Sequence, residues 1–418
     1  MKFKFYTLNA IKDSILTFFK WMLFASIIGT FVGIIGSLFH IGLDLATKFR
    51  MEHNYIILLL PAGGVIIALL YKLCRMDKDK GTNLILLSIS GNEKLTVKTA
   101  PLIFISTIIT HLLGGSAGRE GAALQLGGSI AMLFSKLFRL NEKDKKIIIM
   151  CGMSAAFGAL FGTPVTAAVF SMEIISVGVM YYSAFFPAML ASTIGCMVTK
   201  GFDITKTSFV LNGIPEITPE SLLQIIALSV LCAGVSILFC ISIHQSLKIY
   251  EKLFKNTILR AAVGGAMVVI LSFAIFSFDY NGSGIDVILR ALNGNALPQA
   301  FILKIIFTAL TIGAGFKGGE IVPAFFVGAT FGNVSGGLIG LDPSFSAGIG
   351  LVAVFCGATN CPISSLVLSI ELFGVQGAVF FAVACAVSYM LSGYFGLYKE
   401  QKIIYSKLSP EFINIKTK

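Results

Sequence analysis

The sequence predicts an all-α integral membrane protein made of two inverted repeats of tilted, broken and re-entrant helices. Three observations lead there. Of 418 residues, 56% are hydrophobic and 13% charged, with a mean hydropathy of +0.87, whereas soluble domains carry roughly a quarter charged residues. Apolar stretches recur near 14–47, 54–73, 99–115, 122–138, 147–177, 184–199, 222–247, 258–278, 300–315, 321–340, 345–373 and 375–398. Several fall short of the ~20 residues of a full span or are broken by glycine or proline. Interrupted helices survive at membrane depth only where protein or a watery cavity covers the freed backbone, which favours a transporter or channel.

The second observation is a repeat. Gly81–Ile85 (Gly-Thr-Asn-Leu-Ile) starts 37 residues before Gly118, and Gly282–Asp286 (Gly-Ser-Gly-Ile-Asp) starts 37 before Gly319. Gly152 precedes Pro164 by 12 residues and Glu173 follows it by nine; Gly350, Pro362 and Glu371 repeat both spacings. The chain is therefore expected to divide into a first repeat half with an N-terminal cytoplasmic helix (1–200), a linker (201–221) holding Pro215 and Pro219, a second half (222–398) and a cytoplasmic tail (399–418).

The third observation is charge. Lys136, Arg139, Lys143, Lys145 and Lys146 crowd one loop, whereas its counterpart near 337–348 contains Asp342 and no Lys or Arg. By the positive-inside rule these equivalent loops face opposite sides, so the repeats are expected to be antiparallel. The same rule explains the net charge of +11. Basic residues gather in the N-terminal segment (Lys2, Lys4, Lys12), the 75–80, 136–146 and 248–260 connections and the tail. This is topology rather than nucleic-acid binding, and it places both termini in the cytoplasm of a multi-pass inner-membrane protein. The eight cysteines lack a CxxC pair and the four histidines lack paired spacing, so no metal site, disulfide framework or cofactor is expected. The N-terminus shows no small-residue cleavage site and reads as a retained membrane segment.

Two glutamates stand out because an ionisable group at bilayer depth costs roughly 2.5–3.5 kcal/mol and marks an ion or proton path. Glu120 lies in Gly114–Gly121 and Glu320 in Gly315–Glu320, both glycine-rich breaks before apolar helices. A helix that starts inside a membrane presents unsatisfied N–H groups and partial positive charge. Two such ends can face one point, with Gly81–Ile85 as a third, and form an anion site without a full cation. The glycines alone could instead serve close helix packing. A charged Glu120 would compete with an anion for those N–H groups, and a protonated one would leave, which couples protons to anions. The alternative is a fixed salt bridge to Arg119, which adjacent helical residues are poorly placed to form. Glu173 and Glu371 read as caps or interface groups, and Lys304 and Lys317 as partners of acids or as snorkelling side chains.

At these residues the chain resembles the CLC family of anion channels and anion/proton antiporters over nearly its whole length. Gly118-Arg119-Glu120-Gly121 matches the element with that family's gating glutamate. Residues 162–167 (Gly-Thr-Pro-Val-Thr-Ala) and 361–365 (Cys-Pro-Ile-Ser-Ser) match its paired proline helices. Gly319–Pro323 stands at its GxFxP element, and Tyr398 near its central tyrosine. The resemblance implies a homodimer in the lipid bilayer with one pore per subunit. Gly315–Glu320 followed by Pro323 is similar to the bacterial fluoride/proton antiporter branch, as is Gly81-Thr82-Asn83 where chloride members carry GSGIP. The GSGI at 282–285 is a decoy, the repeat counterpart. Departures fall at Thr82 (often Asn in the branch), Ala122 and Val322 (both often Thr).

The resemblance implies export of fluoride against protons, with Glu120 as gate and proton carrier and Glu320 as a second proton-linked carboxylate. Gly81, Thr82, Asn83, Gly118, Arg119, Gly121, Gly319, Ile321 and Tyr398 would form the anion site. Hydrogen fluoride crosses membranes neutral and dissociates in a near-neutral cytoplasm, so a proton-driven exporter has a purpose. The alternative is a chloride or nitrate channel or transporter of the same fold. An intramembrane protease would need a Ser–His or paired-aspartate arrangement, and His111 near Ser116 falls in the glycine-rich element; the chain is expected not to be an enzyme.

Overall fold

The structure, a computed structural model, describes residues 2–77 (backbone alone for 2–9), 79–91, 93, 95–204 and 209–418. Lys78 of the basic 75–80 loop and residues 205–208 of the expected linker lie outside the described residues.

Among the described residues, sixteen helices run as two series of eight in the same order. The first comprises α1 (Lys2–Glu52), α2 (Leu60–Leu73), α3 (Thr82–Ser90), α4 (Thr99–Leu112), α5 (Glu120–Leu137), α6 (Glu142–Phe161), α7 (Pro164–Glu173) and α8 (Phe185–Lys200). The second comprises α9 (Pro219–Leu253), α10 (Thr257–Ala274), α11 (Ile285–Leu292), α12 (Ala300–Gly313), α13 (Ile321–Ile339), α14 (Pro343–Thr359), α15 (Pro362–Phe373) and α16 (Ala378–Leu391). Six stretches are long and apolar enough to cross a membrane, among them Ala10–Glu52, Pro219–Leu253 and Ile321–Ile339. Others stop part way: α3 has 9 residues, α7 has 10 and α11 has 8, at about 1.5 Å each. Large apolar side chains such as Leu16, Phe19, Leu23, Leu223 and Leu231 are exposed on α1 and α9, as lipid contact requires.

The helix ends follow from residue type. α4 and α12 turn off at Gly114 (φ +85°) and Gly315 (φ +100°), a left-handed conformation that suits glycine. α6 and α14 stop at Gly162 (φ +68°) and Asn360 (φ +58°), and Pro164 and Pro362 then open α7 and α15. A left-handed cap followed by proline ends one helix and pre-sets the next.

The spacing marks Gly152 and Gly350 are crossing points. Gly152 of α6 packs on Gly127 of α5, and Gly350 of α14 packs on Gly328 and Gly332 of α13. Backbones there touch with no space for a Cβ, the small-residue packing that membranes favour.

Glu173 and Glu371 are caps, each serving the other's proline helix. The Glu173 carboxylate accepts from the N–H groups of Ile363 (3.1 Å) and Ser364 (2.8 Å) and from the Ser364 hydroxyl. Glu371 accepts from Val165 (3.1 Å) and Thr166 (2.8 Å). A hydrogen bond to a charged group contributes about 1.5–3 kcal/mol, and helix N-termini favour anions. Glu173→Ala is therefore expected to lower the melting temperature in detergent, with Glu173→Gln falling between; equal melting of all three would refute the cap.

The C-terminal segment departs from the helical pattern. β2 (Lys402–Tyr405) pairs in parallel with β1 (Ser176–Val177) and antiparallel with β3 (Phe412–Lys416). Residues 399–418, expected as a tail, thus stitch onto the end of α7. Where the linker is described it is also pinned: Phe209 N–H donates to the Leu372 carbonyl at 2.9 Å and Asn212 N–H to the Ser344 hydroxyl at 3.1 Å. α9 starts inside the expected linker at Pro219, capped by Thr218 with Ser221.

Candidate ion site between two cavities

The two glycine-rich breaks meet. Gly118 N–H donates to the Gly319 carbonyl and Gly319 N–H to the Gly118 carbonyl, both at 2.7 Å, as an isolated antiparallel bridge. The pairing points the starts of α5 and α13 at the same region. His111 of α4 fixes the bridge from behind, its Nε2 donating to the Gly118 carbonyl at 3.2 Å. His111 is thus tied to the glycine-rich bridge rather than turned to the Ser116 hydroxyl, which meets Thr308.

Glu120 opens α5 and is fully buried. Its Oε2 accepts from the N–H of Arg119 (3.0 Å) and from the N–H of Val322 (3.2 Å), the second residue of α13. One carboxylate is thus clasped by backbone from both breaks. Its Oε1 has no hydrogen-bond partner among the described residues. The Arg119 guanidinium turns elsewhere, to His40 Nδ1 (3.3 Å) and Asp44 (3.6 Å), so the alternative of an Arg119–Glu120 salt bridge is not formed; the backbone N–H of Arg119 makes the contact instead.

A cavity of about 590 Å³ lies on one side, lined by Gly81, Thr82, Asn83, Gln125, Glu320 and Tyr398 among others. Glu320 Oε2 and the buried Tyr398 hydroxyl have no hydrogen-bond partner among the described residues. A Cβ on Gly121 would sit 3.1 Å from Thr82 Oγ1 and 3.3 Å from Glu320 Oε2, so Gly121 is where α3, α5 and α13 converge. Asn83 lines the cavity while its Oδ1 accepts from Glu400 N–H at 3.0 Å, which ties α3 to the segment carrying Tyr398. A second cavity of about 380 Å³ lies on the other side, lined by His40, Asp44, Arg119, Ile285, Val322 and Phe325 among others. Glu120 stands between, clasped by Arg119 and Val322 of the second and followed by Gly121, which packs on Thr82 and Glu320 of the first.

Of the expected site residues, Gly81, Thr82, Asn83, Glu320 and Tyr398 line the first cavity. Gly118 and Gly319 form the bridge and Gly121 packs against Thr82 and Glu320; these three line neither cavity. Ile321 is buried as the first residue of α13 and lines neither cavity. Arg119 faces the second cavity, not the first. Sequence reasoning missed Gln125, whose Nε2 donates to the Gly121 carbonyl (3.1 Å) and to Thr82 Oγ1 (3.4 Å). A lone amide one turn after Glu120 in an apolar helix was the available signal. At the departures, Ala122 and Val322 are buried apolar side chains, but the Val322 N–H still supplies a donor.

The decoy at 282–285 is filled from within. Lys304, fully buried, donates to the carbonyls of Gly282 (2.8 Å) and Tyr280 (3.2 Å) and lies 5.1 Å from the Phe326 ring centre. It therefore neither pairs with an acid nor snorkels, because loop carbonyls satisfy its ammonium. Lys317 does pair with an acid, Asp79, at 3.0 Å.

A carboxylate clasped by converging helix ends between two cavities, with a second carboxylate lining one of them, in a bundle of partial and full spans, defines a membrane ion transporter or channel. A family model described as voltage gated chloride channel matches residues 63–393. The chain is 35% identical to the chloride/fluoride channel protein of Pseudomonas syringae pv. tomato over 93% of its own length and 87% of the relative. The crystal structure of a CLC-type fluoride/proton antiporter superposes with a TM-score of 0.89 at 31% identity, covering 92% of this chain and 98% of that one. A slow cyanobacterial Cl⁻/H⁺ antiporter shares the fold, with a TM-score of 0.78 at 19% identity over 89% and 94% of the two chains. The chain belongs to the CLC family, a class of transporters and channels.

Proposed function

We propose that this protein is a fluoride/proton antiporter that exports fluoride from the cytoplasm, working as a homodimer in the plasma membrane with both termini cytoplasmic and its halves in inverted orientation. The observation that carries the reading is the Glu120 clasp, in which one carboxylate occupies N–H groups from both breaks. An arriving anion competes for those donors. Glu120 cedes them when it takes a proton, and a neutral carboxyl moves more readily through an apolar wall than a charged one. Glu320, across Gly121 and with an unpartnered oxygen, receives or delivers the proton on the first cavity's side. Fluoride is small and strongly hydrated, so its site has to replace water with close donors. Thr82 and the unpartnered Tyr398 hydroxyl are placed for this, with Gln125 orienting Thr82.

The test loads liposomes containing the purified protein with fluoride or chloride and follows efflux with ion-selective electrodes and a pH probe. Fluoride efflux with proton influx and little chloride flux is expected. Comparable chloride efflux without proton movement would overturn the antiporter in favour of a passive channel.

A further inference from the structure

The second cavity holds a charged cluster that the gate and the anion site leave unused. His40 on α1 lies between the Arg119 guanidinium (Nδ1 to Nη1, 3.3 Å) and Asp44 (Nε2 to Oδ2, 3.2 Å). Asp44 is about half exposed, its side chain 52% accessible, so the cluster is not sealed within the protein. Phe161, Phe325, Leu351 and Leu372 make most of the remaining wall apolar.

We propose that His40 is the proton sensor of this cavity, a positioning residue that acts on the gate through Arg119; the inference rests on the proton-coupled reading above. A guanidinium can only donate, so the Nδ1 facing it must carry the lone pair. Nε2–H then donates to Asp44, which fixes the tautomer. A proton from solvent can attach only at Nδ1. There it sets donor against donor and cation against cation, and the guanidinium must withdraw. Arg119 keeps Asp44 Oδ1 at 3.6 Å, and its buried Nε has no partner that would hold it in place. The backbone N–H of this same residue is half of the clasp on Glu120. Protonating His40 therefore loosens the clasp from the side on which a proton arrives.

The groups around His40 favour this response. From α1 it meets Asp44, with Lys48 close to Asp44. From the break before α5 comes Arg119, and Asp203 stands on the cavity wall. α8 touches α1 where Ser37 meets Thr199 and ends one residue later at Lys200. On α4, His111 is turned to the Gly118 carbonyl, and on α6 Asp144 is bound to Lys20 at the far end of α1. Asp44 is thus the carboxylate in direct contact that offsets charge on His40, and Arg119 the cation in direct contact.

The experiment measures fluoride efflux from liposomes of the full-length protein against external pH, over the range of roughly 5 to 8 in which histidine changes charge. Wild-type efflux is expected to accelerate towards acid. His40→Gln keeps an acceptor for Arg119 but cannot take a proton. It is expected to retain the alkaline rate within about twofold and to lose most of the acid acceleration. Asp44→Asn removes the carboxylate that accepts from Nε2 and fixes the tautomer, and should likewise lose most of the acid acceleration; it decides the matter alone if His40→Gln does not fold. Variant profiles that superimpose on the wild type would overturn the His40 role while coupled transport stands. Wild-type efflux without proton movement would instead overturn the antiporter reading, and this inference with it.

Discussion

Liposomes carrying Glu120→Gln are expected to lose proton movement and to keep anion flux. Glutamine has nearly the shape of the carboxylate but no proton to exchange at these pH values. Its amide oxygen can still accept from the Val322 or Arg119 N–H, yet a neutral acceptor holds those donors about half as strongly as a charged one. The anion then wins the competition without a proton. The Arg119 guanidinium, turned to His40 and Asp44, takes no part in this exchange. Coupled proton flux should fall on the order of 10²-fold or more, the scale of losing a positioned acid–base group. The pH probe reads this directly while the fluoride electrode confirms a working protein. Proton uptake at the wild-type ratio would remove Glu120 from the proton path.

The largest structural effect is expected at Gly350. An added Cβ would lie 2.7 Å from the Gly332 Cα and closer still to the Gly328 carbonyl oxygen. Neither neighbour is the flexible end of a side chain, so α13 and α14 must separate. Forced overpacking costs typically 1–3 kcal/mol, occasionally more, and here it would displace the helix whose start clasps Glu120. Gly350→Ala should give little monodisperse protein and a sharply lowered melting temperature. Gly152→Ala should behave alike, since its Cβ would strike Gly127. Gly234→Ala is the control, for nothing lies within 4 Å of its added Cβ. A Gly350→Ala protein as stable as Gly234→Ala would show that the crossing can relax.

Much of this was legible in the chain because it repeats at fixed spacing. Gly152, Pro164 and Glu173 recur as Gly350, Pro362 and Glu371, and each has a matched duty in space: crossing point, helix start, cap. Glu120 and Glu320 betrayed themselves by their cost in an apolar setting. What stayed hidden depends on side-chain direction. Nothing in Gly-Arg-Glu-Gly says that the guanidinium leaves its neighbour for a histidine 79 residues away. Lys304 likewise finds backbone carbonyls, which leave no trace in residue type. The strands at 402–405 and 412–416 escaped because they are short, with little apolar alternation to mark them, and the second is mostly exposed.

The crossed caps also set a timetable for synthesis. Glu173 is made 190 residues before Ile363, the first N–H it will hold. At about 5–20 residues per second, roughly 10–40 s pass with that carboxylate unanswered and the start of α7 still open. The early part of the chain therefore waits in the translocon's company, unfinished, until Glu371 arrives to close α7 and α15 opens to receive Glu173.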